Sequence, residues 1–87
     1  MKKKKFLWWV YLLRCADGTL YAGVSTDLRR RISEHNNSSL GAKYTSGRRP
    51  VTLVYSQSFA DRSSALKEES RIKKLSRGAK LKLILTK

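Results

Sequence analysis

The chain has 87 residues, enough for one domain and no second. Its 20 Lys and Arg stand against 6 Asp and Glu, a formal charge of +14. That balance implies a polyanionic partner, nucleic acid before membrane, and says nothing of fold. A domain of this size buries roughly 60–65% of its unfolded surface, so its core is small. Lys2 to Lys5 followed by Phe6 to Leu13 imitates a signal peptide, but the apolar run stops at Arg14 without a small-residue cleavage site. The run is also far too short to span a bilayer. The expected location is cytoplasmic with no membrane partner. Residues 1–5 are expected to form a frayed basic tip and residues 6–87 a single domain.

The stretch Trp8 to Gly23 holds two apolar, aromatic-rich runs around Asp17-Gly18, a strong hairpin signal. A strict two-residue turn would put Tyr11 and Tyr21 on opposite faces. A three-residue loop, Ala16-Asp17-Gly18 with Gly18 left-handed, puts both on one face and sets Tyr11 opposite Gly23. The second register leaves room over the Tyr11 ring and is the one expected. Half-buried packing is the competing reading of two strand tyrosines. Cys15 is the sole cysteine, so no internal disulfide forms, and its strand position suits a buried, inert thiol.

Ser25 or Thr26 is the expected N-cap of a helix over Leu28 to Asn36, with Asp27 in its first turn. On a helical wheel Arg31 and His35 border the stripe of Leu28 and Ile32, whereas Arg30 points to solvent. A polar loop then runs from Asn36 to Pro50. Loops of this length in small domains are more often functional than idle. Lys43, Arg48 and Arg49 give it the character of a phosphate-contacting flap, a solvated connector being the alternative. Pro50 opens a strand over Val51 to Tyr55. Asp61 or Ser63 caps a helix from about Arg62 to Leu75, whose inward stripe takes in Glu69 and leaves Glu68 outside. Ser76 caps a last short helix. The order reads β-β-α-β-α-α.

Tyr11, Tyr21, Arg31 and Glu69 thus point toward one surface, with His35 nearby. A carboxylate on an inward stripe is costly unless paired or bound to a cation. An ion pair with Arg31 is one solution for Glu69. The other is a metal: no second acidic residue is placed to join it, and one carboxylate plus waters and phosphate oxygens suits Mg²⁺, or Mn²⁺ in its place. There is no Cys/His cluster for zinc and no Gly-rich nucleotide loop. Arg30 and Lys73 join Lys43, Arg48 and Arg49 as expected nucleic-acid contacts.

W-V-Y at 9–11, Y-A-G at 21–23, S-T-D-L-R-R-R-I-S-E-H and A-L-K-E-E, in this order, resemble the GIY-YIG nuclease superfamily. More narrowly, the chain resembles its small standalone bacterial branch and is similar to the nuclease domain of structure-selective DNA resolvases. The resemblance implies an α+β fold with a three-stranded antiparallel sheet flanked by helices. It also implies metal-dependent DNA endonuclease activity in a DNA repair or recombination setting. Tyr11, Tyr21, Arg31, His35 and Glu69 match the family's catalytic positions, Gly23 its closing glycine, and Glu69 its metal ligand. Tyr11 would take the proton of the attacking water, which requires nearby positive charge to favour the phenolate. Trp9, Val10 and Ala22 depart from the family pattern, and no asparagine follows Asn37, where some members have one. A partner protein could supply targeting. Two rivals stay open: a non-catalytic nucleic-acid-binding module of the same fold, and an RNA- or ribosome-associated basic protein.

Overall fold

A computed structural model describes residues 7–38 and 40–86; the basic tip of residues 1–5 lies outside them. Strands β1 (Trp8–Arg14), β2 (Leu20–Ser25) and β3 (Thr52–Phe59) form one antiparallel sheet in the order β2-β1-β3. Helices α1 (Leu28–Asn37), α2 (Lys43–Ser46), α3 (Arg62–Lys73) and α4 (Arg77–Thr86) complete the order. The expected α+β architecture is present, with one addition, the single turn α2 inside the loop.

The hairpin has the three-residue loop. Cys15 N–H donates to Thr19 O at 2.8 Å, Gly18 takes φ +85°, and Tyr11 lies opposite Gly23 and Leu13 opposite Tyr21. Asp17 Oδ1 accepts from Thr19 N and Oγ1, holding the turn.

β1 is the central strand, which is why Val10, Tyr11, Leu12 and Leu13 are all buried despite alternating faces. On one face Val10, Leu12, Ala22 and Tyr55 pack with Ala65 and Ile72 of α3. On the other, Tyr11, Leu13, Cys15 and Val51 pack with Tyr21, Leu28 and Ile32. The first face is covered by α3 together with Leu83 and Ile84 of α4, the second by the α1 stripe.

Three boundaries differ from expectation. Asp27, not Ser25 or Thr26, caps α1: its Oδ1 accepts from Arg30 N at 3.1 Å, while Ser25 Oγ accepts from Asp27 N. β3 continues to Phe59, because its Ser56-Gln57-Ser58 stretch pairs with Tyr11, Val10 and Trp9 of β1. α3 ends at Lys73, with Leu75 packed against the core cluster beyond it. Asp61 caps α3 through Ser64 N, and Ser76 Oγ accepts from Ala79 N at the start of α4.

Candidate active site

A hollow of about 240 Å³ opens where β2 meets α1 and α3, lined by Trp8, Tyr11, Tyr21, Gly23, Val24, Arg31, Arg62, Leu66 and Glu69. Four of the five candidate catalytic side chains therefore share one cavity, brought there by β1, β2, α1 and α3. Gly23 makes the arrangement possible. A Cβ at that position would overlap the Tyr11 hydroxyl and the ring carbon bearing it.

His35, the fifth, lies beneath the hollow and is fully buried. Its Nε2 is 3.0 Å from the Tyr11 hydroxyl and its Nδ1 is 2.8 Å from Thr45 Oγ1. Thr45 Oγ1 donates its own proton to Ala42 O at 2.9 Å, so toward His35 it can only accept. That fixes the tautomer: Nδ1 carries the proton, and Nε2 accepts from Tyr11. Burial holds His35 down to about 4, with the charges of Arg31 and Arg49 pushing the same way. The imidazole is neutral at pH 7.

Tyr21 is held between rings. Its centroid lies 5.2 Å from His35, edge on, and 5.6 Å from Tyr44 in a stacked pair. Arg48 covers the far side of Tyr44 at 4.1 Å.

Arg31 alone does not supply the positive charge that a Tyr11 phenolate requires. Burial pushes Tyr11 up to about 12, and the Arg31 guanidinium beside it lowers it by less than burial raises it. Arg31 is itself anchored by Nη1, which donates to Glu34 Oε1 at 2.9 Å and Leu40 O at 2.8 Å. The alternative Arg31–Glu69 ion pair is thus replaced by two others. Arg31 pairs with Glu34, and Lys73 Nζ lies 3.4 Å from Glu69 Oε2.

Glu68 turns away from the hollow, yet it is not the open surface charge expected. Its side chain is as covered as that of Glu69, 19% exposed in each case, because Arg71 grips it with two hydrogen bonds. That grip holds the Glu68 carboxyl below its usual range.

Two arginines of the basic flap have partners within the fold. Arg49, expected to contact phosphate, donates Nε to His35 O and Nη2 to Ser38 O and Glu34 O, satisfying carbonyls at the end of α1. Arg48 donates to Asp17 Oδ2 at 3.0 Å and Tyr44 O at 2.7 Å. Both tie the loop down, their guanidinium groups binding carbonyls and a carboxylate directly. Asn36 adds a clamp, bonding Val51 N and O through its amide. Lys43 is exposed at the start of α2; Arg30 is exposed and lies 3.7 Å from Glu34. Thr45 was outside every sequence signal, because a four-residue helix has no periodicity to read.

Among the described residues no three His, Cys, Asp or Glu gather as a metal cage. Glu69 offers one carboxylate, mostly covered, at the wall of an open hollow. That fits a hard divalent ion that keeps waters and takes phosphate oxygens, and not zinc.

The family model described as GIY-YIG catalytic domain matches residues 7–82. The UPF0213 protein DP2720 of Desulfotalea psychrophila is 54% identical over 77 residues, covering 88% of this chain and 70% of that protein. The UPF0213 protein SSP2268 of Staphylococcus saprophyticus is 53% identical over 76 residues, 87% of this chain and 92% of that one. The solution NMR structure of the E. faecalis protein EF2693 superimposes with a TM-score of 0.65 at 43% identity, over 99% of this chain and 90% of that one.

Proposed function

The chain belongs to the GIY-YIG family, and from that premise we propose that it is a metal-dependent endonuclease hydrolysing DNA phosphodiester bonds, selective for structure rather than sequence. The observation that carries the reading is the sharing of one hollow by Tyr11, Tyr21, Arg31 and Glu69, side chains from four separate elements.

Glu69 would hold a divalent cation, which would supply charge neutralisation on the phosphate and on the leaving 3′ oxygen. Arg31, its guanidinium held by Glu34 and Leu40, presents its remaining donors to a non-bridging oxygen. Tyr21, clamped between His35 and Tyr44, orients the attacking water. Tyr11 takes the water's proton as its own passes to Nε2 of His35, so no free phenolate has to form beforehand. Water oxygen bonds to phosphorus, the bond to the 3′ oxygen breaks, and that oxygen leaves with the bonding pair and takes a proton from solvent, the imidazole returning its extra proton through Tyr11. The protonated imidazole keeps its Nδ1 partner, Thr45.

The test is nicking of branched and nicked DNA by purified protein with Mg²⁺ or Mn²⁺. Glu69→Ala abolishes it and leaves DNA affinity within a few-fold; Glu68→Ala retains it. Equal activity of wild type and Glu69→Ala removes the proposal. One observation favours a binding-only module of this fold: Glu69 already has a cationic partner in Lys73. That reading gives no cleavage under either metal and a steep loss of affinity with salt.

A further inference from the structure

The catalytic hollow does not end at Glu69. Arg62 and Leu66 belong also to a second, more open depression of about 620 Å³ along the outer side of α3, lined with Ser63, Lys67 and Ser70. All five of these residues are exposed. At the junction stands Trp8, half-buried, its ring packed on the core from one side and under the Arg62 guanidinium at 5.8 Å. None of these residues takes part in the hydrolysis itself.

Resting on the endonuclease reading, we propose that this depression is the track of an unpaired DNA strand, and that the strand enters the hollow past Trp8. The base next to the cleaved phosphate lies against Trp8 and Leu66, and Arg62 and Lys67 take the phosphates that follow. Continuity with the hollow is the first argument: a strand with one phosphate at Glu69 and Arg31 has its neighbours at Arg62 and Leu66. Chemistry is the second. An aromatic ring, an exposed leucine, two cations and two hydroxyls in a row suit stacked bases on a charged backbone, the pattern of single-strand grooves. Size is the third. The depression falls in the roughly 300–1,000 Å³ range of small-ligand sites, room for about one or two nucleotides. Asp61 is the adverse charge at this end of α3, and it is engaged as the cap of Ser64, with Lys67 offsetting it. A duplex with a flap or gap meets the requirement; a blunt duplex does not.

The test uses binding alone, in the Glu69→Ala background without metal. Fluorescence anisotropy compares a flapped duplex with a blunt duplex of the same sequence. The flap binds about tenfold tighter. The double variant Arg62→Gln, Lys67→Gln lowers flap affinity by about tenfold and blunt affinity by less than twofold. It also reduces the slope of log affinity against log salt by about 1.4, near 0.7 for each single-strand phosphate no longer neutralised. Leu66→Ser, at an exposed position, removes about fivefold from flap binding by weakening the stacking platform. Tryptophan emission is quenched by the flap in wild type and not in Trp8→Phe, which keeps the core packing. Equal binding of flap and blunt DNA, or equal losses for both in the double variant, overturns the proposal. The two readings fail separately. A protein that cuts without preferring flaps refutes the groove alone, and one that prefers flaps but never cuts refutes the nuclease alone.

Discussion

On the α1 side of the hollow, Tyr11, His35 and Thr45 are at most 1% exposed and joined in one line of hydrogen bonds. On the α3 side, Glu69 and Lys73 reach toward solvent and hold each other at 3.4 Å, with Lys73 55% exposed. The first arrangement is made by folding and cannot be altered without disturbing the core. The second joins an exposed lysine to a mostly covered carboxylate, worth about 1 kcal/mol because the Lys73 end lies in high dielectric, and its cation is readily exchanged for another. Rigid proton handling on one side and an exchangeable electrostatic side on the other is a division of labour that substitutions can break.

The largest expected effect is at Gly23. Gly23→Ala puts a methyl into the Tyr11 ring, which is walled in by His35 and the sheet. Overpacking of this kind costs about 2–3 kcal/mol, a fall in Tm of about 10–20 °C for a domain this small. Nicking falls by at least about 100-fold, because the phenol no longer meets His35. Thermal melts beside a cleavage assay check it; unchanged stability would mean the α1 side is not rigid.

Thr45→Val comes next and isolates the proton line. It leaves Nδ1–H of His35 buried without a partner, at about 1–3 kcal/mol. It also frees the ring to carry its proton on Nε2, which would turn the Tyr11 hydroxyl away as a donor. Turnover falls by about tenfold with little change in KM, and ring ¹⁵N shifts at pH 7 report the tautomer. Thr45→Ser restores both, since its hydroxyl can still accept from Nδ1 while donating to Ala42. Loss of stability without a change in tautomer would make Thr45 a packing residue only.

Acid sharpens the same contrast. His35 is held near 4 in the fold against 6.5 for the free side chain, so between those values the unfolded chain binds the extra proton. Stability therefore rises with pH across that window and is lost as pH falls from 6.5 toward 4. The groups facing the ring act in both directions: Arg31 and Arg49 depress it, and Glu34 raises it. The loss is of order 2 kcal/mol, measured as the change in urea unfolding free energy between pH 7 and pH 4.5. His35→Gln removes most of that change. Asp17, Asp61 and Glu68, all held below their usual ranges, contribute at lower pH in wild type and variant alike.

How much of this is legible in the sequence divides along the same line. The hairpin is, because Asp17-Gly18 marks the turn, and Gly23, where a ring needs space, favours the observed one of two registers that turn allows. The facings of α1 and α3 are, because periodicity separates Arg31 from Arg30 and Glu69 from Glu68. What escapes is every decision among competing polar partners. Ser25, Thr26 and Asp27 are all good caps, and the bond from Arg30 N to Asp27 Oδ1 selects the last. Arg48 and Arg49 carry the same charge as any surface arginine, and pattern cannot see that carbonyls of α1 and Asp17 bind them first. Burial of Tyr11 outweighing Arg31 is likewise a question of depth, which periodicity does not measure.

The smallest expected effect tests the exchangeable side. Lys73→Gln removes an exposed partner of Glu69, so Tm moves by less than about 3 °C. Two opposing consequences then follow for activity. Glu69 loses a competitor for the divalent ion, and the Mg²⁺ concentration giving half-maximal nicking falls a few-fold. The DNA loses a cation near the scissile phosphate, so KM rises modestly and the salt slope of binding shrinks by about 0.9 if Lys73 meets duplex there. A metal titration at saturating DNA separates the first effect from the second, since DNA affinity no longer limits there. A large drop in Tm with no shift in the metal titration would mean that Lys73 braces α3 and does not hold the place of a cation. Both sides of the hollow would then be fixed by folding.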